Sequence, residues 1–219
     1  MIFKSDTDLQ QNSEHAVSSK TLVLMVIANV LPLLGVVLWQ WDVFTVLFLY
    51  WLENAIIGIF HIVKLLTCSS KSKDKVIKSV FFTVHYGAFA TGHGYLLFDI
   101  FNIPTAQGGF LSIWQSGYEY LQSIDGKLLL PVAAMIAYQA FDVQQFLLKE
   151  RAKTSRDLMM EPYSRVVVIH VALLFGAIFA QKFDNPMLVL IGLIGFKIFM
   201  DYQNLKKKNK LKSQSNPLK

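Results

Sequence analysis

The sequence predicts an all-helical integral membrane protein, a bundle of six transmembrane helices with both termini in the cytoplasm. The first observation is composition, because 53% of the 219 residues are apolar, 16% are charged and the mean hydropathy is +0.41. Soluble domains carry more charge, about a quarter of their residues. The second observation is that the apolar residues come in runs of about 20, the length that crosses a bilayer. The third is a strongly one-sided distribution of Lys and Arg, which predicts orientation.

The apolar runs place the six predicted spans at 21–39, 43–66, 76–101, 128–148, 163–181 and 186–202. The connection 102–126 has apolar side chains at roughly helical spacing, namely Phe110, Ile113, Trp114 and Leu121. This spacing predicts an amphipathic helix at the membrane interface, with a structured cap over the bundle as the alternative. The predicted organisation is a cytoplasmic tail (1–20), one six-helix domain (21–204) and a basic cytoplasmic tail (205–219).

With the N-terminus inside, 19 of the 21 Lys and Arg residues fall on the cytoplasmic side, and only Lys127 and Lys182 fall outside. This distribution predicts a multi-pass protein of the bacterial inner (plasma) membrane. The net charge of +6 is concentrated in loops and in the tail, so it does not indicate nucleic-acid binding. The tail is expected to contact anionic inner-leaflet lipids, or to act only as a topology signal.

Six ionisable side chains are predicted to lie deep in the spans, where a charge costs roughly 2.5–3.5 kcal/mol. They are Glu53, His61, His85, His93, Asp142 and His170. Counting residues puts His61, His85, Asp142 and His170 at similar depth, about 7–14 Å from the cytoplasmic boundary. Glu53 and His93 form a second level further outward. Lys64 and Lys197 lie near predicted span ends, where snorkelling accounts for them.

Three imidazoles and a carboxylate from separate helices predict a metal centre, with His61, His85 and His170 as ligands and Asp142 as a fourth ligand or an outer-shell partner. The metal would be zinc or iron. Glu53 and His93 are predicted to handle protons or contact substrate, supported by Asn54 and Tyr138 in the outer shell. The predicted function is that of a metal-dependent hydrolase or oxidoreductase acting on a lipophilic substrate. Cys68 is the only cysteine, which excludes an intrachain disulfide and a cysteine-based zinc site.

Three other interpretations stay open. In the first, two of the histidines are axial ligands of a b-type haem. In the second, the histidines and Glu53 form the relay of a proton- or ion-coupled transporter. In the third, the histidines serve structure alone, by hydrogen bonding across helices.

Several short motifs carry a family resemblance: Tyr50-Trp51 followed by Glu53-Asn54, His85-Tyr86-Gly87, His93-Gly94 and the single His170. With them, residues 20–205 resemble a bacterial multipass family whose domain has no assigned function. The resemblance implies six helices and no particular reaction. Six spans with a membrane histidine also resemble rhomboid proteases, but no Gly-x-Ser-Gly motif lies inside a span, so that serine mechanism is rejected.

Overall fold

The computed structural model describes residues 34–124, 126–163, 166–167, 170–171, 191–192, 194–200 and 202–203, and its regular elements are helices. In chain order they are α1 (Val43–Thr67), α2 (Ser72–Ile100), α3 (Ser112–Ser123), α4 (Leu129–Lys149) and α5 (Ser155–Met159). Residues 34–39 and 194–200 are also helical.

Helix α1 forms the centre of the described structure and packs against α2 and α4. Its N-terminus is capped by Asp42, whose carboxylate accepts hydrogen bonds from the backbone N–H and the hydroxyl of Thr45, at 2.8 and 2.6 Å. The following 25 residues are mostly apolar, and most of them are buried. A helix of this length extends about 37 Å.

Two side-chain contacts fix how α1 lies along α2. The indole N–H of Trp51 donates to the carbonyl of Ala90 at 2.7 Å. The hydroxyl of Tyr86 donates to the backbone carbonyl of Asn54 at 3.1 Å. Because the numbers rise along one helix and fall along the other, the two helices are antiparallel. This register places Glu53 opposite residues 87–88 of α2, about 8 Å along the helix axis from His93.

Helix α3 covers the outer face of α1. Ile113 is fully buried, and the ring of Trp114 stacks on that of Trp51 with centroids 5.0 Å apart. Gly117 lies directly over the Trp51 ring, because a Cβ there would stand 3.0 Å from it. The predicted connection 102–126 thus contains a helix, and that helix packs as a cap on the bundle.

Helix α5 closes the other end of the bundle. Thr154 and Asp157 form a capping box at its start, and its Ser155 N–H donates to the hydroxyl of Ser70 at 2.7 Å. Lys78 of α2 donates to the Ser155 hydroxyl at 2.9 Å. These bonds join the segment 150–160 to the loop between α1 and α2.

The prediction of a six-span bundle is wrong. Among the residues that the structure describes, one helix, α1, is long and apolar enough to cross a membrane. Helices α2 and α4 have the length, but polar side chains reduce their apolar character: the lysines of the first turns together with His85 and His93 in α2, and Gln139, Asp142 and Gln145 in α4. Most of the predicted first and fifth spans and much of the sixth lie outside the described residues.

The contact between α2 and the Trp51 ring gives a direct test of this packing. Substitution Gly94→Ala would place a Cβ 2.8 Å from Trp51 and 2.9 Å from Ile113. We expect it to lower the free energy of unfolding by about 1–3 kcal/mol, the usual effect of overpacking. Gly92→Ala is the matched control, because a Cβ there meets nothing within 4 Å. Equal melting temperatures for the two purified variants would contradict the packing.

Candidate functional site

Glu53, at the middle of α1, forms a buried ion pair with Lys197 from the helical segment 194–200. The Glu53 Oε2 and Lys197 Nζ atoms are 2.8 Å apart, and the two side chains are 12% and 10% exposed. The Lys197 ammonium also lies over the ring of Tyr50, 5.1 Å from its centroid. The carboxylate of Glu53 is therefore neutralised by a partner 144 positions away in the chain.

A second ion pair joins Lys64, one turn before the end of α1, to Asp142 of α4. His61, one turn before Lys64, is also buried, and its Nε2–H donates to the carbonyl of Leu158 in α5 at 2.9 Å. The Asp142 carboxylate is thus bonded to an ammonium group, and the Nε2 of His61 is used in attaching α5 to α1.

His93 of α2 and His170 form a hydrogen-bonded pair of imidazoles, with His93 Nε2 and His170 Nδ1 2.8 Å apart. The other ring nitrogen of His93, Nδ1, is 2.8 Å from the carbonyl oxygen of Phe89. Because a carbonyl can only accept, Nδ1 of His93 must carry the proton, and in the neutral ring Nε2 is then the acceptor. His170 Nδ1 is therefore the donor within the pair. His93 is 8% exposed and His170 is exposed.

His85 is exposed and lies among aromatic rings. Its ring centroid is 5.3 Å from that of Phe81, 5.1 Å from that of Phe89 and 5.8 Å from that of Tyr163. Phe89 in turn stacks on His93 at 6.1 Å. Four rings spaced four residues apart thus follow one side of α2, and this ladder ends at the histidine pair.

The structure does not bring the predicted metal ligands to one point within its described residues. His61 contacts α5, Asp142 contacts Lys64, His85 lies in the aromatic ladder, and His170 contacts His93. In the described ranges, no group of three or more His, Cys, Asp or Glu side chains is placed to hold an ion. The four-ligand centre stays a prediction from sequence.

The two predicted supporting residues lie apart. Asn54 is buried, and its side-chain oxygen accepts from the Tyr86 hydroxyl at 3.2 Å, so it belongs to the contact between α1 and α2. Tyr138 is half-buried on α4, one turn before Asp142.

Sequence reasoning missed Lys64 and Lys197, which it expected to snorkel at span ends. Both are buried, 6% and 8% exposed, and each neutralises an acidic residue that had been proposed as catalytic or metal-binding. The sequence signal for these two ion pairs was a single lysine within each apolar stretch, together with two deep acids, Glu53 and Asp142, that needed partners.

A third group of charges lies at the two ends of α5. Lys153 contacts Glu150 at 2.8 Å and Glu161 at 2.6 Å. Burial lowers the pKa of Lys153, but the hydrogen bonds to the two carboxylates outweigh it and raise the pKa above its usual value. The side chains of Lys153 and Glu161 are 29% and 32% exposed, so their ion pair stabilises the fold less than the buried pairs.

Comparison with known proteins gives one match. The model of a family of unknown function, DUF6498, matches residues 11–217. No curated protein and no solved structure matches the chain. The predicted resemblance to a family without an assigned function is confirmed.

The Glu53–Lys197 pair gives a test of the buried charges. Glu53→Gln or Lys197→Met alone leaves one buried charge without its partner, which should lower the free energy of unfolding by about 3–5 kcal/mol. The double variant removes both charges and should lose clearly less than the sum of the two single losses. Denaturation of the purified variants measures all three values.

Glu161→Gln is the control, since it breaks a more exposed pair and should cost about 1 kcal/mol or less. Additive losses in the Glu53 and Lys197 cycle would contradict the ion pair.

Proposed function

The chain belongs to the DUF6498 family, and we propose that it is a membrane protein with a metal centre seated between His93 and His170. The observation that carries this proposal is the hydrogen bond from His93 Nδ1–H to the Phe89 carbonyl. Histidines that bind metals usually donate their second ring N–H in this way, which fixes the tautomer and aims the other nitrogen at the ion. The aimed nitrogen, Nε2, faces His170.

The separation of the two nitrogens also suits an ion. Zinc–nitrogen bonds of about 2.0–2.1 Å at tetrahedral angles separate two ligand nitrogens by about 3.3 Å. The observed 2.8 Å is the distance of a shared proton, so a widening of about half an ångström would seat the ion. Binding would displace the proton from His170 Nδ1, because metal ligands must be deprotonated.

Two protein ligands leave open positions for water and substrate. A bound zinc or iron would polarise a substrate carbonyl or lower the pKa of a bound water. This supports the hydrolase or oxidoreductase chemistry expected from the sequence. We assign His93 to metal binding here, because its Nε2 faces His170, whereas the Glu53 carboxylate is held by Lys197.

The membrane assignment is supported by two features. Helix α1 has the length and apolar composition of a membrane span, although 78% of its most apolar stretch is buried inside the protein, as in a soluble core. Helix α2 presents a row of exposed apolar side chains, at Val76, Ile77, Val80, Phe81, Val84 and Phe89, each 46–68% exposed. Such a surface is rare in soluble monomers and suits contact with lipid. We therefore place the chain in the cell membrane, with a lipophilic substrate.

A b-type haem is the second candidate. Because His170 donates its Nδ1–H to His93, the Nε2 of His170 carries a free lone pair, and this side chain is exposed. An axial haem ligand is typically held in this way. The aromatic ladder of α2 adjoins this position.

Metal and haem analysis of the purified protein tests the centre. We expect close to one zinc or iron per chain by elemental analysis, and loss of most of it in His93→Ala and His170→Ala. His85→Ala is the control, because that ring makes only aromatic contacts in the described structure and should leave metal content unchanged. An absorption band of haem would instead identify the second candidate.

Folded protein that has neither metal nor haem after purification, and takes up neither zinc nor iron on addition, would contradict the proposal. Equal loss of metal in all three histidine variants would contradict the assignment of the ligands. Circular dichroism of each variant establishes that its fold is retained.

A further inference from the structure

An apolar groove of about 300 Å³ lies between the end of α1 and the first half of α2. It is lined by Leu66, Val76, Ser79, Val80, Thr83 and Val84. The volume is at the lower end of the range for small-molecule sites, about 300–1,000 Å³. The groove lies more than one helical turn from His93 and belongs to neither ion pair.

The groove continues at one end into a basic helix terminus. Residues 71–78 carry four lysines and one aspartate, a net charge of +3. Lys75 and Lys78 bond to Cys68 and Ser155, whereas Lys71 and Lys73 are exposed. No side chain caps the N-terminus of α2, so the N–H groups of its first turn remain available to an anion.

We propose that this groove binds one anionic phospholipid. The phosphate lies at Lys71, Lys73 and the first turn of α2, and one acyl chain lies against Leu66, Val76, Val80 and Val84. The charge at the groove's end selects an anionic headgroup, and the apolar walls, 48–68% exposed, select an acyl chain. This site is separate from the histidine centre and does not depend on it.

Titration of the purified full-length chain in neutral detergent tests the proposal, with bound lipid counted by native mass spectrometry. Phosphatidylglycerol should bind saturably at one lipid per chain, and phosphatidylcholine much more weakly. Lys71→Gln with Lys73→Gln should weaken phosphatidylglycerol binding about thirtyfold, the effect of two lysines near an anionic lipid. Lys127→Gln with Lys149→Gln is the control, since it removes two other exposed lysines and should change nothing.

Two further variants test the groove itself. Val80→Trp fills it from an exposed position and should abolish the saturable binding, whereas Ile77→Trp adds the same ring outside the groove and should not.

Equal affinity for the two lipids, or unchanged binding in Val80→Trp, would overturn the proposal. Displacement of the lipid by millimolar inorganic phosphate, with phosphate binding unaffected by Val80→Trp, would identify a site for free phosphate and also overturn it. A change in oligomeric state in Val80→Trp without a change in lipid binding would mean that a second copy of the chain occupies the groove.

Discussion

The described structure depends on one constraint: α1 is a mostly apolar, buried helix, and each polar group that it carries inside must meet a partner. Trp51 and Asn54 meet α2, Glu53 meets Lys197, and His61 and Lys64 meet α5 and α4. Since these contacts lie along the whole helix and reach four neighbours, they fix the position of each neighbour on α1. Hydrophobic packing alone would allow several registers, whereas unpaired buried polar groups would make the alternatives costly.

The same pairing decides which groups are available for chemistry. Both acids proposed for the centre, Glu53 and Asp142, are matched by lysines, so neither is free to hold a metal without competition from an ammonium group. The imidazoles of His93 and His170 have no such partner among the described ion pairs and face each other. The metal centre that we propose is therefore confined to the imidazoles of His93 and His170.

The sequence predicted local features well and long-range pairing poorly. The apolar run 43–66 matches α1 to within one residue, and the spacing of Ile113 and Trp114 identified a helix in the connection, because both signals are local. Residue counting gave similar heights to Glu53 and His93, whereas the register of α1 on α2 separates them by about 8 Å. Residue counting could not show that Lys197 reaches Glu53. A lysine beside a predicted span end has the same sequence neighbours whether its side chain snorkels or is buried. Residue counting also grouped His170 with His61 and His85 by height, although only side-chain direction decides which rings meet.

The count of six spans failed because every long apolar run was taken as a membrane crossing.

The direct hydrogen bond between His93 and His170 is the central claim, and nitrogen NMR of the metal-free protein with ¹⁵N-labelled histidine tests it most directly. We expect His93 to be protonated at Nδ1 and His170 to donate from Nδ1. The spectrum should then show a through-bond coupling between His93 Nε2 and His170 Nδ1. His93→Gln and His170→Gln spectra assign the signals. Two rings protonated at Nε2, without coupling between them, would contradict the hydrogen bond between His93 and His170.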